Sequence, residues 1–207
     1  MKTKILIILP NLKSGGAERL AVSLANEWNF QGYKVEFGLL EKSGKFLDLI
    51  DNGIVIHDLN TLKLRNSIVP LYRLFKLTRP DVIWSGLWPL TALSIIAWIL
   101  AGKMGRLYTI DHNQLSISTV RSLNVSRLAL KIITRGTYPF ASGNMAVAEG
   151  VKSDLVALTG LPDKKIKVIY NPAAQGIGYK SQSSNQIKDK LWGRDPGKCI
   201  LSVGSFK

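Results

Sequence analysis

Short apolar runs alternate with segments that are apolar on one side only, from the first residues to about position 170. The run Lys4–Leu9 is continuously apolar after its first residue, which is typical of a strand covered on both faces of a parallel sheet. The next segment, Ala17–Gln31, instead places Leu20, Leu24 and Trp28 on one helical face. This alternation predicts an α/β fold with a doubly wound, mainly parallel sheet.

The pattern predicts seven strands and six helices. The strands are Lys4–Leu9, Lys34–Leu40, Ile54–Ile56, Asp81–Ser85, Leu107–Ile110, Met145–Ala148 and Ile166–Ile169. The helices are Ala17–Gln31, Phe46–Asp51, Pro70–Thr78, Leu90–Ala101, about Ser122 to Arg135, and Gly150–Thr159. The longest apolar stretch, residues 87–101, falls short of the roughly 20 residues that a membrane crossing needs. It therefore predicts a buried helix.

The composition changes after Asn171-Pro172. Residues 173–190 are rich in Gln, Ser, Asn, Gly and Lys, and Cys199–Val203 has the pattern of a new strand. We therefore expect one domain over residues 1–172, a linker over 173–197, and the first strand of a second domain over 198–207. On this interpretation the chain is truncated, because that strand has nothing after it to pack against.

Charge and rare residues narrow the function classes. The chain has 28 Lys and Arg against 14 Asp and Glu, a net charge of +14, which attracts polyanions. Nucleic acid is not the expected partner, because no nucleic-acid-binding motif is present. One cysteine and two histidines match no metal-ligand spacing, so we predict no metal site. The single cysteine also excludes an internal disulfide framework and fits a reducing cytosol.

The first candidate site is the turn after the first strand. Gly15 and Gly16 follow that strand and open the first helix, where exposed backbone N–H groups can bind a phosphate or a sugar hydroxyl. A tight strand–helix turn without a ligand is the alternative interpretation. The turn lacks the third glycine of the dinucleotide-binding fingerprint, and no acidic residue ends the second strand cleanly. A nicotinamide-dependent oxidoreductase is disfavoured for these reasons.

Five segments, in this order along the chain, resemble the family 4 glycosyltransferases, which have the two-domain GT-B fold. They are Gly15-Gly16-Ala17-Glu18-Arg19, Arg79-Pro80-Asp81-Val82-Ile83-Trp84-Ser85, Ala146-Val147-Ala148-Glu149-Gly150-Val151-Lys152-Ser153-Asp154-Leu155, Lys165-Ile166-Lys167-Val168-Ile169-Tyr170-Asn171-Pro172 and Ile200-Leu201-Ser202-Val203-Gly204-Ser205-Phe206-Lys207. The first four correspond to the family's N-terminal domain and the last to the first strand of its C-terminal domain.

The resemblance implies a retaining transfer from a nucleotide-sugar donor at a cleft between two Rossmann-like domains, with no further cofactor. It assigns Gly15 and Gly16, above all Gly16, to the donor phosphates and the acceptor. It makes His112, after a mid-domain strand, the catalytic candidate, with Asp111 and Asn113 beside it as candidate ligand-binding residues. In the alternative without a ligand, His112 is a loop histidine hydrogen-bonded to water and Asp111 caps the following turn. We expect the other histidine, His57, to be structural.

One segment departs from the family pattern. Where the family often has histidines after Pro-Asp-Val-Val, this chain has Trp84-Ser85-Gly86-Leu87-Trp88. Trp84 is a candidate for stacking on a sugar or lipid, because its face is large and rigid. Packing in the core is an equally good interpretation of the same residue. The departure puts in doubt any acceptor chemistry that the family's histidines perform.

Two predicted helices combine apolar and basic positions. Basic amphipathic helices suit an anionic membrane interface, although any surface helix is amphipathic to some degree. Together with the charge excess and the family's use of lipid-linked acceptors, they predict a cytoplasmic protein bound peripherally at the inner face of the cell membrane. The residues expected to face the membrane are Arg73, Lys76, Arg79, Arg127 and Lys131.

The sequence thus predicts the N-terminal part of a retaining glycosyltransferase that acts on a membrane-linked glycan or lipid, in surface polysaccharide or glycolipid synthesis. The truncated chain alone is expected to be inactive, because transfer depends on positioning and electrostatic stabilisation from both halves of the site. The alternative is a non-catalytic subunit that binds glycolipid, or that binds a separate chain carrying the C-terminal domain.

Overall fold

Seven parallel strands form one sheet in the computed structural model, which describes residues 2–13, 15–61, 63–123 and 125–172, without the side chains of 121–123. The strand order is β3-β2-β1-β4-β5-β6-β7, and every neighbouring pair is parallel. The strands are β1 Lys4–Leu9, β2 Lys34–Leu39, β3 Val55–Asp58, β4 Val82–Gly86, β5 Arg106–Asp111, β6 Gly143–Ala146 and β7 Ile166–Val168. The prediction of a doubly wound parallel sheet is confirmed.

Helices cover both faces of this sheet. They are α1 Gly16–Phe30, α2 Ile68–Thr78, α3 Leu90–Leu100, α4 Leu115–Leu123, α5 Arg127–Thr137 and α6 Glu149–Thr159. Helix α2 packs on α3, α3 on α5 and α5 on α6, so these four form one layer. Helix α1 lies with the other apolar cluster, on the opposite face of β1 and β2.

Alternation of side chains along the strands divides the core in two. In β1, Leu6 and Ile8 belong to the cluster beneath α2, α3, α5 and α6. Ile7 and Leu9 belong to the cluster beneath α1. All four are fully buried, as expected for a central strand with both faces covered.

The helix predicted from about Ser122 to Arg135 is confirmed from Arg127 onward, as part of α5, but its first residues are not part of that helix, because α4 ends at Leu123. Ser126 separates the two helices, with an extended backbone and a side chain that accepts a hydrogen bond from the backbone N–H of Ala129 at 3.1 Å. A serine in this position satisfies a free N–H at the start of a new helix. The apolar period continues across the break, so periodicity alone did not reveal it.

The remaining differences are at element ends. Leu47–Leu49 is a single 3-10 turn within the predicted helix Phe46–Asp51. Strand β3 ends two residues later than predicted, and β6 begins and ends two residues earlier than predicted. Gly32 and Gly160 close α1 and α6 with positive φ angles of 90° and 72°, as predicted.

A cluster of charged and polar side chains surrounds Glu36 on β2. The Glu36 carboxylate is buried on β2, where His57 Nε2 lies 2.8 Å away and the Lys4 and Lys34 ammonium groups lie at 3.4 and 3.5 Å. Lys4 Nζ also donates to the carbonyl of Thr78, at the end of α2. His57 is therefore placed in a structural ion cluster, in line with its expected role.

The predicted linker and the strand at 198–207 lie outside the described residues.

The helix predicted from the longest apolar stretch is α3, and seven of its residues, from Leu90 to Trp98, are buried. None of the helices in the described ranges has both the length and the apolar character that a membrane crossing needs.

Candidate functional site

The strand order reverses direction at β1, which lies between β2 and β4. In open α/β sheets, ligands bind outside the carboxyl ends of the strands at such a switch point. The turn after β1 carries Gly15 and Gly16, and the loop after β5 carries His112 and Asn113. Both lie at this edge, with β4 between their strands, in the region where open α/β sheets have their ligand crevice.

The glycine turn presents an open helix start. Gly15 is extended at the N-cap of α1, and Gly16 is the first, exposed residue of the helix. A Cβ atom on Gly16 would meet no other atom within 4 Å, whereas one on Gly15 would collide with the Glu18 carboxylate. A methyl group at position 16 would therefore enter open space, and backbone N–H groups at the start of a helix are suited to an anion.

His112 lies against Trp84. The two ring centroids are 6.5 Å apart and the rings are inclined by 67°, an edge-on contact. His112 is half-buried, and its Nε2 atom is buried without a hydrogen-bond partner among the described residues. Burial lowers the pKa of His112, so the imidazole is neutral at pH 7. A neutral ring can either donate a hydrogen bond to a sugar hydroxyl or accept one from it.

Trp84 itself is only 6% exposed and belongs to the apolar cluster beneath α1. Little of its face is available to a ligand, so the structure favours the core-packing interpretation, with Trp84 supporting the His112 ring. Its predicted stacking on a sugar or lipid stays a prediction. Asn113 is exposed at the crevice, where its amide can reach a ligand.

Asp111 is buried at the end of β5, on the face opposite His112. Its carboxylate oxygens each lie 3.1 Å from the hydroxyl of Tyr138, which lies 3.0 Å from the hydroxyl of Thr91. Burial raises the pKa of Asp111 to about 7; the Tyr138 hydrogen bond opposes this rise, and the charge of Asp154 adds to it. At 1% exposure the carboxyl group has almost no surface with which to bind a ligand directly.

Helix α6 holds the loop after β5 from a second direction. The Asp154 carboxylate accepts a hydrogen bond from the backbone N–H of Ser116, at the start of α4, at 3.1 Å. The Gln114 amide donates to the Gly150 carbonyl at 3.2 Å. The loop between β5 and α4 is therefore tied to α6 through both its backbone and a side chain.

The exposed sides of α2 and α5 carry basic and apolar residues. Between residues 59 and 148 the sequence has 11 Lys and Arg but only two acidic residues, Asp81 and Asp111. Asp111 is buried, and Asp81 accepts a hydrogen bond from the backbone N–H of Lys4. The five basic residues predicted to face a membrane are all exposed: Arg73, Lys76, Arg79, Arg127 and Lys131.

Large apolar side chains lie beside these cations. On α2, Leu77 is 76% exposed one residue from Lys76 and four from Arg73; on α5, Leu128 and Ile132 are 68% and 62% exposed beside Arg127 and Lys131. Residues four apart share a helix face. Leu100 on α3, between these helices, is 61% exposed. Exposed apolar side chains next to cations are a feature of many interaction surfaces.

A shallow cleft of about 460 Å³ lies beyond the end of β3, away from His112. Its lining is mostly polar and comes from the loop that leads into α2: Leu59, Asn60, Thr61, Lys63, Asn66 and Pro70. In the described ranges, no three His, Cys, Asp or Glu side chains come together in a way that could hold a metal ion.

Sequence reasoning missed the residues that support the loop after β5. Thr91 lies in a predicted helix and Tyr138 just beyond the end of another, and nothing in the local sequence distinguishes either residue. Asp154 lies in one of the segments that resemble the family. The sequence feature that could have drawn attention to it is an acidic residue on a helix that follows a strand. Contact with the start of α4 depends on tertiary structure, which spacing along the chain does not show.

The sheet order and the crevice together define the class: this is the Rossmann-like fold found in GT-B glycosyltransferases. The Anabaena protein HepE, in complex with UDP and glucose, superposes over 91% of this chain and 50% of its own, with a TM-score of 0.62 and 18% identity. The lipopolysaccharide outer core galactosyltransferase WaaB superposes over 82% of this chain and 46% of its own, with a TM-score of 0.58 and 19% identity. A UDP-N-acetylglucosamine 2-epimerase from Rickettsia bellii superposes over 92% of this chain and 51% of its own, with a TM-score of 0.61 and 15% identity.

The profile of Glycosyltransferase Family 4 matches residues 14–173, and the chain belongs to this family. No curated protein matches it in sequence. The chain spans about half the length of the solved structures that it resembles. An epimerase shares the fold, so the fold alone does not specify the reaction.

Proposed function

We propose that this chain is the acceptor-side part of a retaining glycosyltransferase that moves a hexose from a uridine-diphosphate sugar to a lipid-linked or glycan acceptor. The observation that carries the proposal is His112, neutral and with an unpartnered Nε2, at the same crevice as the open glycine turn in a family 4 chain. The complex of HepE with UDP and glucose supports the choice of donor.

Each part of the crevice has a task in this proposal. Backbone N–H groups at the start of α1, beside Gly16, bind the donor's phosphates or an acceptor hydroxyl. The imidazole of His112 hydrogen-bonds a hydroxyl of the transferring sugar, and such a bond strengthens when charge develops at the sugar during transfer. Asn113, exposed beside His112, contributes a further amide to the same sugar or to the acceptor.

The acceptor is proposed to be held at the inner face of the cell membrane. The cations and exposed leucine and isoleucine side chains on α2, α3 and α5 support this location, because they combine attraction to anionic lipids with apolar side chains that can enter the interface. Surface polysaccharide or glycolipid synthesis is the process that such an acceptor fits.

A second nucleotide-binding half is proposed to complete the active site. The matched structures are about twice as long as the part of them that this chain covers, which supports the idea. Residues 1–207 without such a half are expected to have no activity of their own. They would then act as a binding subunit for glycolipid or for a separate chain with the C-terminal domain, the second candidate function.

The test is incorporation of radiolabel from UDP-glucose, UDP-galactose and UDP-N-acetylglucosamine into the lipid extract of source cells that lack this chain. Lysate from these cells supplies the acceptor and any separate second half. We expect purified chain alone to incorporate no label, and chain added to lysate to restore incorporation from one donor. NMR of the product then reports whether the sugar keeps its anomeric configuration. No restored incorporation from any donor, with the chain folded, would refute the proposal.

A further inference from the structure

The orientation of the His112 ring is set by its backbone and by packing. Nε2 has no hydrogen-bond partner among the described residues, and the ring's edge-on contact is with Trp84 at 6.5 Å. A ring that is not tied by its own hydrogen bonds keeps its direction only if the chain on both sides of it is fixed. The residues that fix the loop after β5 therefore decide where the imidazole points.

The residue before His112 is fixed from the α3–α5 side. Tyr138, fully buried after the end of α5, donates its hydroxyl to the Asp111 carboxylate. Thr91, at the start of α3, shares a hydrogen bond with the same hydroxyl. A chain of hydrogen bonds thus runs from α3 through Tyr138 to the last residue of β5. Buried polar networks of this kind, with each group satisfied, hold one arrangement rigidly.

The residues after His112 are fixed from α6. Asp154 accepts from the Ser116 N–H in the first turn of α4, where a carboxylate also interacts favourably with the helix dipole. The Gln114 side chain donates to the Gly150 carbonyl in the same helix. Asp154 thereby does from a neighbouring helix what an N-cap residue does locally, and it fixes the point at which the loop turns into α4.

We propose that Tyr138 and Asp154 are positioning residues for His112, which hold the loop on its two sides and so fix the direction of the imidazole. Neither residue touches the ligand: Tyr138 acts through Asp111, and Asp154 acts through the start of α4. The inference rests on the proposed function only in assigning the imidazole a role in transfer. The restraint itself is a property of the chain that can be measured without activity.

The test uses the fact that the chain has two histidines. In protein labelled with ¹⁵N at histidine, NMR titration follows His112 and His57 separately, and His57 serves as an internal reference. We expect Asp154→Ala and Tyr138→Phe to move the His112 pKa up toward its ordinary value, because a loosened loop exposes the ring. Loss of the Asp154 charge by itself would lower that pKa, so a rise reports the loosened loop.

A chemical measurement accompanies the titration. Acylation of His112 by diethylpyrocarbonate should become about fivefold faster in each variant, the change expected when one ordinary hydrogen bond no longer holds a segment closed. Asp154→Asn, which keeps an acceptor oxygen for the Ser116 N–H, should change the rate less than Asp154→Ala. Asp163→Asn is the matched control, since Asp163 pairs with Lys152 of α6 at 2.6 Å and has no hydrogen bond or ion pair with that loop among the described residues.

The proposal is overturned if His112 titrates and reacts in the Asp154→Ala and Tyr138→Phe variants as it does in the unchanged chain. It is also overturned if His57 shifts as much as His112, because the effect would then be general loosening. If Tyr138→Phe does not fold, the comparison of Asp154→Ala with Asp154→Asn tests the proposal alone. Where transfer is observed, kcat should fall with little change in KM. An absence of transfer would refute the proposed function and leave the NMR result to stand.

Discussion

The hydroxyl of Tyr138 lies 3.1 Å from each carboxylate oxygen of Asp111, and both side chains are buried. This pair joins the end of α5 to the end of β5, immediately before His112. Burial raises the pKa of Asp111 to about 7, well above that of an exposed aspartate. It also raises the pKa of Tyr138 well above its ordinary value, so Tyr138 remains a donor at every pH of interest.

The Asp111 pair predicts a pH dependence of stability. Because the folded pKa is near 7 and the unfolded value is 3.8, the folded chain binds the proton more tightly between these values. The contribution of this group to the free energy of unfolding must therefore fall as pH rises from about 4 to about 7, and stay constant above. Asp111→Asn, which keeps an acceptor for Tyr138 and carries no charge, should remove this contribution.

Urea unfolding at pH 4.5, 6 and 8 measures the difference between the two chains. We expect the Asn variant to gain stability relative to the unchanged chain as pH rises across this range. A constant difference from pH 4.5 to 8 would contradict the raised pKa. Asp163→Asn, at an exposed ion pair, is the control for loss of a carboxylate elsewhere.

The glycine turn predicts a separation of folding from binding. A Cβ atom at Gly16 meets open space, so Gly16→Ala should leave stability unchanged or raise it slightly, by up to about 1 kcal/mol, since alanine loses less entropy in a helix. The same methyl group lies where the proposed ligand approaches, so binding of UDP should weaken. Isothermal titration of UDP, paired with thermal unfolding, checks both.

Gly32→Ala is the matched control for that substitution. Gly32 has a φ of 90° with open space around it, so alanine there is strained without touching the crevice. It should lower stability by roughly 1 kcal/mol and leave UDP binding unchanged. Equal UDP binding by Gly16→Ala and the unchanged chain would contradict the role assigned to the turn.

The ion cluster at Glu36 predicts a loss of stability on neutralisation. Burial by itself raises the pKa of Glu36, but the hydrogen bond from His57 and the charge of Lys4 outweigh it, so the pKa is lowered. A lowered carboxyl pKa contributes stability above the unfolded value of 4.5 that is lost as pH falls through the folded value. Glu36→Gln should therefore cost roughly 1–3 kcal/mol at pH 7, because it leaves buried partners without their charge.

Urea unfolding at pH 7 and below pH 4 tests this cluster. The cost of Glu36→Gln should shrink at the lower pH, where the carboxyl of the unchanged chain is itself becoming protonated. Glu41→Gln is the control, because Glu41 forms an exposed pair with Lys13 at 2.9 Å and such pairs contribute little. A cost for Glu36→Gln that does not depend on pH would contradict the ionised state of this carboxyl.

The basic face predicts salt-sensitive membrane binding. Flotation with vesicles of phosphatidylglycerol and phosphatidylcholine should recover the chain at low salt, and vesicles of phosphatidylcholine alone should recover less. Removing the charges of Arg127 and Lys131 together should weaken binding by roughly 30-fold, since each cation near an anionic surface contributes about 1 kcal/mol.

A matched pair of charges distinguishes this face from net charge alone. Lys164, just before β7, and Lys167, within it, are exposed and lie outside α2, α3 and α5, so their double replacement by glutamine removes the same charge elsewhere. This control should bind vesicles almost as well as the unchanged chain. Equal weakening by the two double variants would show that total charge, and not the α2–α3–α5 face, governs binding.

Strand positions could be predicted from the sequence because a parallel sheet buried on both faces needs continuous apolar runs such as Lys4–Leu9. The break between α4 and α5 could not, since Ser126 interrupts the backbone without interrupting the apolar period. The crevice was predictable because the glycine turn and His112 each follow a strand. Tyr138 and Asp154 were not, because their partners Asp111 and Ser116 lie 27 and 38 residues away along the chain.

The most direct test of the account is incorporation of label from UDP-sugars into lipid extract by the unchanged chain and by His112→Ala, each added to lysate from cells that lack the chain. His112→Ala should fold normally and lower the rate about 100-fold or more, the loss typical of removing one hydrogen-bonding group that acts in the transition state. Equal rates from the two chains would contradict the assignment of His112, and with it the crevice at the ends of β1 and β5, as the site of transfer.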